Sequence, residues 1–314
     1  MAPLQLNLSA PVLSSYLLDT TLGALIKRKT LTRFGGGDIL ELMARHIVFL
    51  IHGIGEHKAG WASEKGGPID VLTKASLEYA FFRRTGELAR SLEASVEFFP
   101  LHYDDILDEA VTKWRTQGHG VLTDGAHILP ILGNMAAWLE RIPPQARELC
   151  WTHVVDIGIY WLLADYRQRI RTRLIGSIVG KIKEEESAGN GSPQCSVIAH
   201  SLGTIVGHDV IHALGATRWG GNDNPLGPKQ WRFNALFMLA NTSRLLRTDY
   251  DPYASIVRPG PIDSAASYCS RYYNIRHEFD PVPVPEEFSP PGWGADIRTI
   301  EVDHFRDVNI HGFG

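Results

Sequence analysis

Apolar positions along the chain fall into short continuous runs separated by longer stretches with three-to-four spacing, which predicts strands and helices in turn. The first run, His46-Ile47-Val48-Phe49-Leu50-Ile51, is rich in β-branched and aromatic residues and stops at His52-Gly53-Ile54-Gly55. A run without polar alternation suits a strand buried on both faces, and hence a parallel sheet. A helical segment from Ile69 to Arg90 is expected next. Val96-Glu97-Phe98-Phe99-Pro100 then reads as a second strand, continued by Leu101-His102-Tyr103 and closed by Asp104-Asp105. Strand, helix, strand is the opening of a parallel α/β sheet.

From Ile106 to Ala164 the pattern becomes largely helical. Its clearest helix places Trp151, Val154, Val155, Gly158, Ile159, Leu162 and Leu163 on one face. This stretch is read as a cap or lid inserted into a single domain that spans 1–314. A further helix, Arg167 to Glu186, carries Ile170, Leu174, Ile178 and Ile182 at spacing four with arginines between them. Such charge would suit anionic membranes or nucleic acid. A helix leading into a strand, however, usually packs on the sheet with its charges outward, so it is assigned to the scaffold. Ser187 to Pro193 is a turn-forming loop. Strands are expected at Cys195 to Ala199, Phe233 to Ala240, Tyr272 to Ile275 and Ile297 to Val302, with a helix from Leu202 to Leu214.

Composition narrows the class without changing it. The 314 residues hold 31 Lys+Arg against 35 Asp+Glu, a net charge of −4, with 44% apolar and 21% charged residues. Those values describe an ordinary globular protein and disfavour disorder, coiled coil or a disulfide scaffold. The mild acidity argues against a dedicated nucleic-acid binder. Cys150, Cys195 and Cys269 contain no CxxC, so neither a disulfide framework nor a zinc site is expected, and a reduced, cytoplasmic setting is preferred. The first lysine is Lys27 and no run of about 18 apolar residues occurs, so neither a secretory signal nor a transmembrane segment is expected. His46, His52, His57, His102, His119 and His127 form no HExxH or comparable ligand pattern, and no metal is expected. Gly35-Gly36-Gly37 is not followed by Gly-Lys-Ser/Thr, which removes the phosphate-loop reading, and no cofactor is expected.

The segment that points to chemistry is Ala199-His200-Ser201-Leu202-Gly203, where a buried strand turns into a helix. A nucleophile on so sharp a turn needs small neighbours two positions away, because strand and helix approach closely there. The segment resembles the nucleophile elbow G-x-S-x-G of the α/β hydrolases, with Ala199 in place of the first glycine. His52-Gly53-Ile54-Gly55 follows a strand and resembles the H-G-x-G oxyanion loop of lipases. In that comparison the Leu202 and Ile54 amides are the two oxyanion donors. His52, Gly53, His200 and Trp151 are expected to border the substrate.

The acid is expected after the last strand but one, where Asn274-Ile275-Arg276-His277-Glu278-Phe279-Asp280-Pro281-Val282 leaves the sheet. This stretch is similar to the same region of DDHD-type phospholipases and other intracellular lipases, and the resemblance implies that Asp280 orients a histidine. Two histidines follow the last strand. His311, before Gly312-Phe313, resembles the family's His-aromatic pattern and is placed first, with His304 the alternative base. The order Ser201, Asp280, His311 is that of the α/β hydrolases.

The resemblance therefore implies a serine ester hydrolase of esterase or lipase type, acting on a hydrophobic acyl ester or lipid through an acyl-enzyme. The cap would be the part that meets a membrane surface transiently, and its aromatic residues Trp138, Trp151, Tyr160 and Trp161 would suit an acyl group or simply bury the cap. Thioesterase, amidase or acyltransferase chemistry on the same triad stays open, as does a non-catalytic protein of this fold that binds a lipid or a partner.

Overall fold

The computed structural model describes residues 45–53, 60–63, 65, 67–70, 73, 96–117, 160, 164–189, 191–216, 226–228, 231–243, 255–260, 267–277, 288, 290, 293 and 297–302. Its centre is a six-stranded, wholly parallel sheet. The strands are β1 (His46–Ile51), β2 (Val96–Leu101), β3 (Gln194–His200), β4 (Ala235–Leu239), β5 (Tyr272–His277) and β6 (Ile297–Val302), in the spatial order β2-β1-β3-β4-β5-β6. All six residues of β1 and all five of β4 are buried, as uninterrupted apolar runs require in strands covered on both faces.

Among the described residues three long helices join the core on one face: α3 (Leu202–Ala216) lies on β1 and β3, α2 (Ala164–Ser187) packs on α3, and α1 (Asp104–Gln117) packs on α2. Strand pleating sorts the core into two sets. Ile47, Phe49 and Ile51, with Val197, Ala199, Leu236, Met238 and Tyr272, meet the helices, including Ile106 of α1, Ile178 of α2 and Ile205 of α3. Val48, Leu50, Ile198, Phe237, Tyr273 and Ile275 face the other way, against Trp61, Ala62 and Ile69.

Handedness explains this division. A right-handed crossover places its connection on the face set by the direction in which the chain moves across the sheet. The steps from β2 to β3, from β3 to β4 and onward all move one way, and their connecting residues, from α1 through α3 to Val257, Phe288 and Trp293, share one face. Only β1 to β2 moves the other way, and the residues after β1, Trp61 to Ile69, lie on the opposite face. The reversal makes the β1/β3 boundary the topological switch point, whose carboxyl-end crevice is where open α/β sheets bind ligands.

The helix expected from Arg167 to Glu186 is observed as α2, and its predicted stripe Ile170, Leu174, Ile178 and Ile182 is buried. The charged side chains depart from expectation, because Lys181 and Glu185 are buried as well. Lys181 Nζ lies 3.1 Å from Glu97, 3.3 Å from Glu184 and 3.0 Å from Glu185, and Arg45 reaches Glu185 and Glu97 at 3.0 and 3.3 Å. Burial pulls the Lys181 pKa down, but hydrogen bonds to Glu185, Glu97 and Glu184 outweigh it and raise the value. Three arginines of α2 are tied to neighbouring helices: Arg169 to Glu109 at 2.7 Å, Arg173 to Asp105, and Arg171 to Asp209 at 3.3 Å. Among the described residues no helix is long and apolar enough to cross a membrane.

Residues 106–117 of the expected cap belong to α1, with Ile106, Leu107 and Ala110 packed in the main core. Tyr160, one of the aromatics expected either to suit an acyl group or to bury the cap, is fully buried in that core and donates its hydroxyl to Asp209 Oδ2 at 2.9 Å. The rest of 106–163, with Trp151, lies outside the described residues, as does most of the expected helix from Ile69 to Arg90.

Candidate active site

The carboxyl ends of β1 and β3 are neighbours, with Ile51 paired to Ala199, and the two sequence motifs leave the sheet there side by side. His52-Gly53 follows β1, and Ser201 follows β3 as the N-cap of α3. Ser201 has φ 52°, a left-handed conformation that its Cβ disfavours, and it is buried to 3% exposure. A strained non-glycine residue at a switch point is where a fold stores conformational cost for function.

Two glycines let the motifs meet. A Cβ on Gly203 would collide with the His52 carbonyl oxygen and come within 2.7 Å of the Ile51 carbonyl, so only glycine lets α3 start against the end of β1. A Cβ on Gly53 would lie 2.9 Å from Ser201 Cβ and 3.1 Å from His200 Nδ1. The backbone at Gly53 is therefore in contact distance of the serine.

The loop after β1 is braced by groups that the sequence did not single out. Tyr103 OH donates to the His52 carbonyl at 2.7 Å, and its ring stacks on the His52 imidazole with centroids 4.3 Å apart. Trp61 packs edge-to-face with His52 at 5.2 Å. His52 Nδ1 donates to the Gly53 carbonyl at 2.9 Å, with Asp104 Oδ1 3.5 Å away. His52 is 2% exposed and His200 6%, so both imidazoles are packed into the walls of the turn. Tyr103 and Asp104 had a signal in the sequence only as the end of a strand; Trp61 had none.

Ser201 is held to the neighbouring strand as well. Its amide donates to the Leu239 carbonyl at 2.9 Å, and its own carbonyl accepts from the Thr204 amide at 2.9 Å. The helix that starts at Leu202 directs its first two amides, those of Leu202 and Gly203, toward the same end of the sheet.

Because every strand is parallel, β5 and β6 also end on this edge, at His277 and Val302. Asp280, His304 and His311 come after those ends and, with Ile54, lie outside the described residues. Of the histidines weighed as metal ligands, His46 and His52 stand at opposite ends of β1, about 20 Å apart at the usual strand rise, the His102 ring lies 6.4 Å from that of His52, and His57, His119 and His127 lie outside the described residues. Among the described residues no group of three His, Cys, Asp or Glu side chains could hold a metal ion. A comparison with known families, curated proteins and solved structures finds no match to this chain.

Proposed function

We propose that the protein is a serine hydrolase of the α/β-hydrolase fold that cleaves hydrophobic acyl esters, with Ser201 as nucleophile. The observation that carries this reading is the left-handed Ser201 between a buried strand and a helix, in contact distance of Gly53 at the topological switch point.

In the reaction, Ser201 Oγ attacks the ester carbonyl carbon and passes its proton to the histidine, whose other nitrogen is held by Asp280. The carbonyl oxygen becomes an oxyanion that accepts from the Leu202 and Ile54 amides. Collapse breaks the ester C–O bond, and the alcohol leaves with the proton returned by the histidine. Water, deprotonated by the same histidine, then attacks the acyl-serine and releases the carboxylic acid.

Strand spacing favours His311 over His304 as the base. The end of β6 is three strands from that of β3, about 14 Å at the usual spacing. His304 is only two residues beyond Val302, about 7 Å of extended chain, whereas His311 is nine beyond it. Asp280 starts closer, two strands or about 10 Å from β3.

A fluorophosphonate probe tests the assignment, since it forms an Oγ–P bond with loss of fluoride only at an activated serine. The wild type is expected to label at Ser201, Ser201→Ala and His311→Ala to lose labelling, and His304→Ala to keep it. A folded wild type that does not label at Ser201 overturns the proposal. Turnover of esters graded by acyl length then identifies the substrate class.

A further inference from the structure

Ser201 is not alone in its strain. Among the described residues one other non-glycine residue is left-handed, Ala240 at φ 48°, immediately after β4. The Ala240 amide still donates to the Ile275 carbonyl at 2.9 Å, so β4 is carried one residue past its ladder before the chain turns. The turn brings residues 241–243 onto the first turn of α3, where all three are buried.

Thr242 is the residue that this turn delivers. Its Oγ1 donates to the Ser201 carbonyl at 2.9 Å from 41 residues away, and Thr204 Oγ1 donates to the same oxygen at 2.7 Å. The two hydroxyls lie 3.2 Å apart, and the Thr242 amide donates to Thr204 Oγ1 at 3.0 Å. Ser243 Oγ adds a bond to the Thr204 carbonyl at 3.2 Å, and Asn241 Nδ2 anchors the loop to the Tyr272 hydroxyl at 3.0 Å. With the Thr204 amide, three donors from two elements converge on one carbonyl that has two lone pairs.

The Ser201 carbonyl and the Leu202 N–H belong to one planar peptide, and in a trans peptide they point in opposite directions. Whatever fixes the carbonyl fixes the amide. We propose that Thr242 is a positioning residue: by holding the Ser201 carbonyl from the loop after β4, it aims the Leu202 amide at the oxyanion. The inference rests on the reading of Ser201 as nucleophile. It accounts for the left-handed Ala240, which places the hydroxyl.

The test compares fluorophosphonate inactivation of wild type, Thr242→Val and Thr242→Ser, with the saturating rate and the half-saturating probe concentration measured separately and thermal unfolding alongside. Thr242→Val keeps the shape and loses the donor. Its saturating rate is expected to fall about tenfold to a hundredfold with half-saturation unchanged, less than the loss from removing an oxyanion donor outright. Thr242→Ser keeps the hydroxyl and is expected to restore most of the rate. Thr242→Ala serves in place of Thr242→Val should the latter not fold. A variant without the hydroxyl that unfolds earlier but, where folded, reacts at the wild-type rate overturns the positioning role, as does a Thr242→Ser variant equally slow. A wild type that fails to label overturns the nucleophile assignment and this inference together, so the two failures are distinguishable.

Discussion

Ser201 is held against a local preference. A Cβ in the left-handed region costs about 1–2 kcal/mol, which the surrounding hydrogen bonds and packing must offset. Ser201→Gly and Ser201→Ala both remove the hydroxyl, but only alanine keeps the strained Cβ. Ser201→Gly is therefore expected to be more stable than Ser201→Ala by about 1 kcal/mol, less the extra unfolded-state freedom of glycine, measured as the difference in urea unfolding. A Ser201→Gly variant less stable than Ser201→Ala by about 1 kcal/mol, the ordinary entropic cost of glycine, would show that the turn is unstrained. At this scale the sequence was informative where the chain's own chemistry forces a conformation: small residues flank Ser201, and Gly203 is needed because α3 begins on the backbone of β1. It was silent on Thr242 and Tyr103, whose partners Ser201 and His52 are distant along the chain.

Helix α2 shows how a correct periodicity hides what its charges do. The apolar stripe at spacing four was legible because burial on the sheet selects it. The ends of Lys181 and Glu185 were not, because their partners Arg45 and Glu97 come from the start of β1 and from β2. A buried charge that loses its partner is strongly destabilising, by about 3–5 kcal/mol, whereas replacing both members together costs far less. Lys181→Met leaves Glu185 and Glu97 with Arg45 alone, so it should destabilise by less than that, about 1–3 kcal/mol, and adding Glu185→Leu should recover part of the loss. Chemical unfolding of the two single variants and the double variant reads the coupling directly; additive losses would mean that the pair does not interact. Three arginines of the same helix, bonded to Glu109, Asp105 and Asp209, are used to join α2 to α1 and α3.

Across the whole molecule, two buried histidines make stability depend on pH. Burial lowers the pKa of His46 to about 4, where its Nε2 meets Ser196 Oγ at 2.9 Å. Burial, with help from His212, lowers that of His208 to about 3, among Tyr272, Phe288 and Trp293. Both folded values lie below that of the unfolded chain, so between about pH 6.5 and 4 the unfolded state binds more protons. Their contribution is complete above pH 6.5 and is lost as pH falls. Going from pH 7 to 5 should cost about 2 kcal/mol per histidine, seen as a lower urea midpoint. His212, whose pKa burial also lowers, adds to the same slope, so His208→Phe should lessen the loss between pH 7 and 5 by about 2 kcal/mol, the share of one histidine; an unchanged slope would show that His208 does not stay neutral in the folded protein.

Strand and helix identities in the described residues were legible along the chain itself, because the short β-branched and aromatic run of β1 ends at glycines, which suits an inner strand, and the fourfold spacing of α2 suits a helix face. The β1 and β6 boundaries read from sequence agree with the structure, and α2 and α3 extend slightly beyond expectation. The two small-residue motifs were equally local. Their meeting was not. That the His52-Gly53 loop lies against Ser201 follows from β3 pairing with β1 on the side opposite β2, a choice made by crossover handedness and face burial. The bracing by Tyr103 and Thr242 is likewise tertiary, since hydrogen bonds between residues 41 and 51 positions apart leave no period in a sequence.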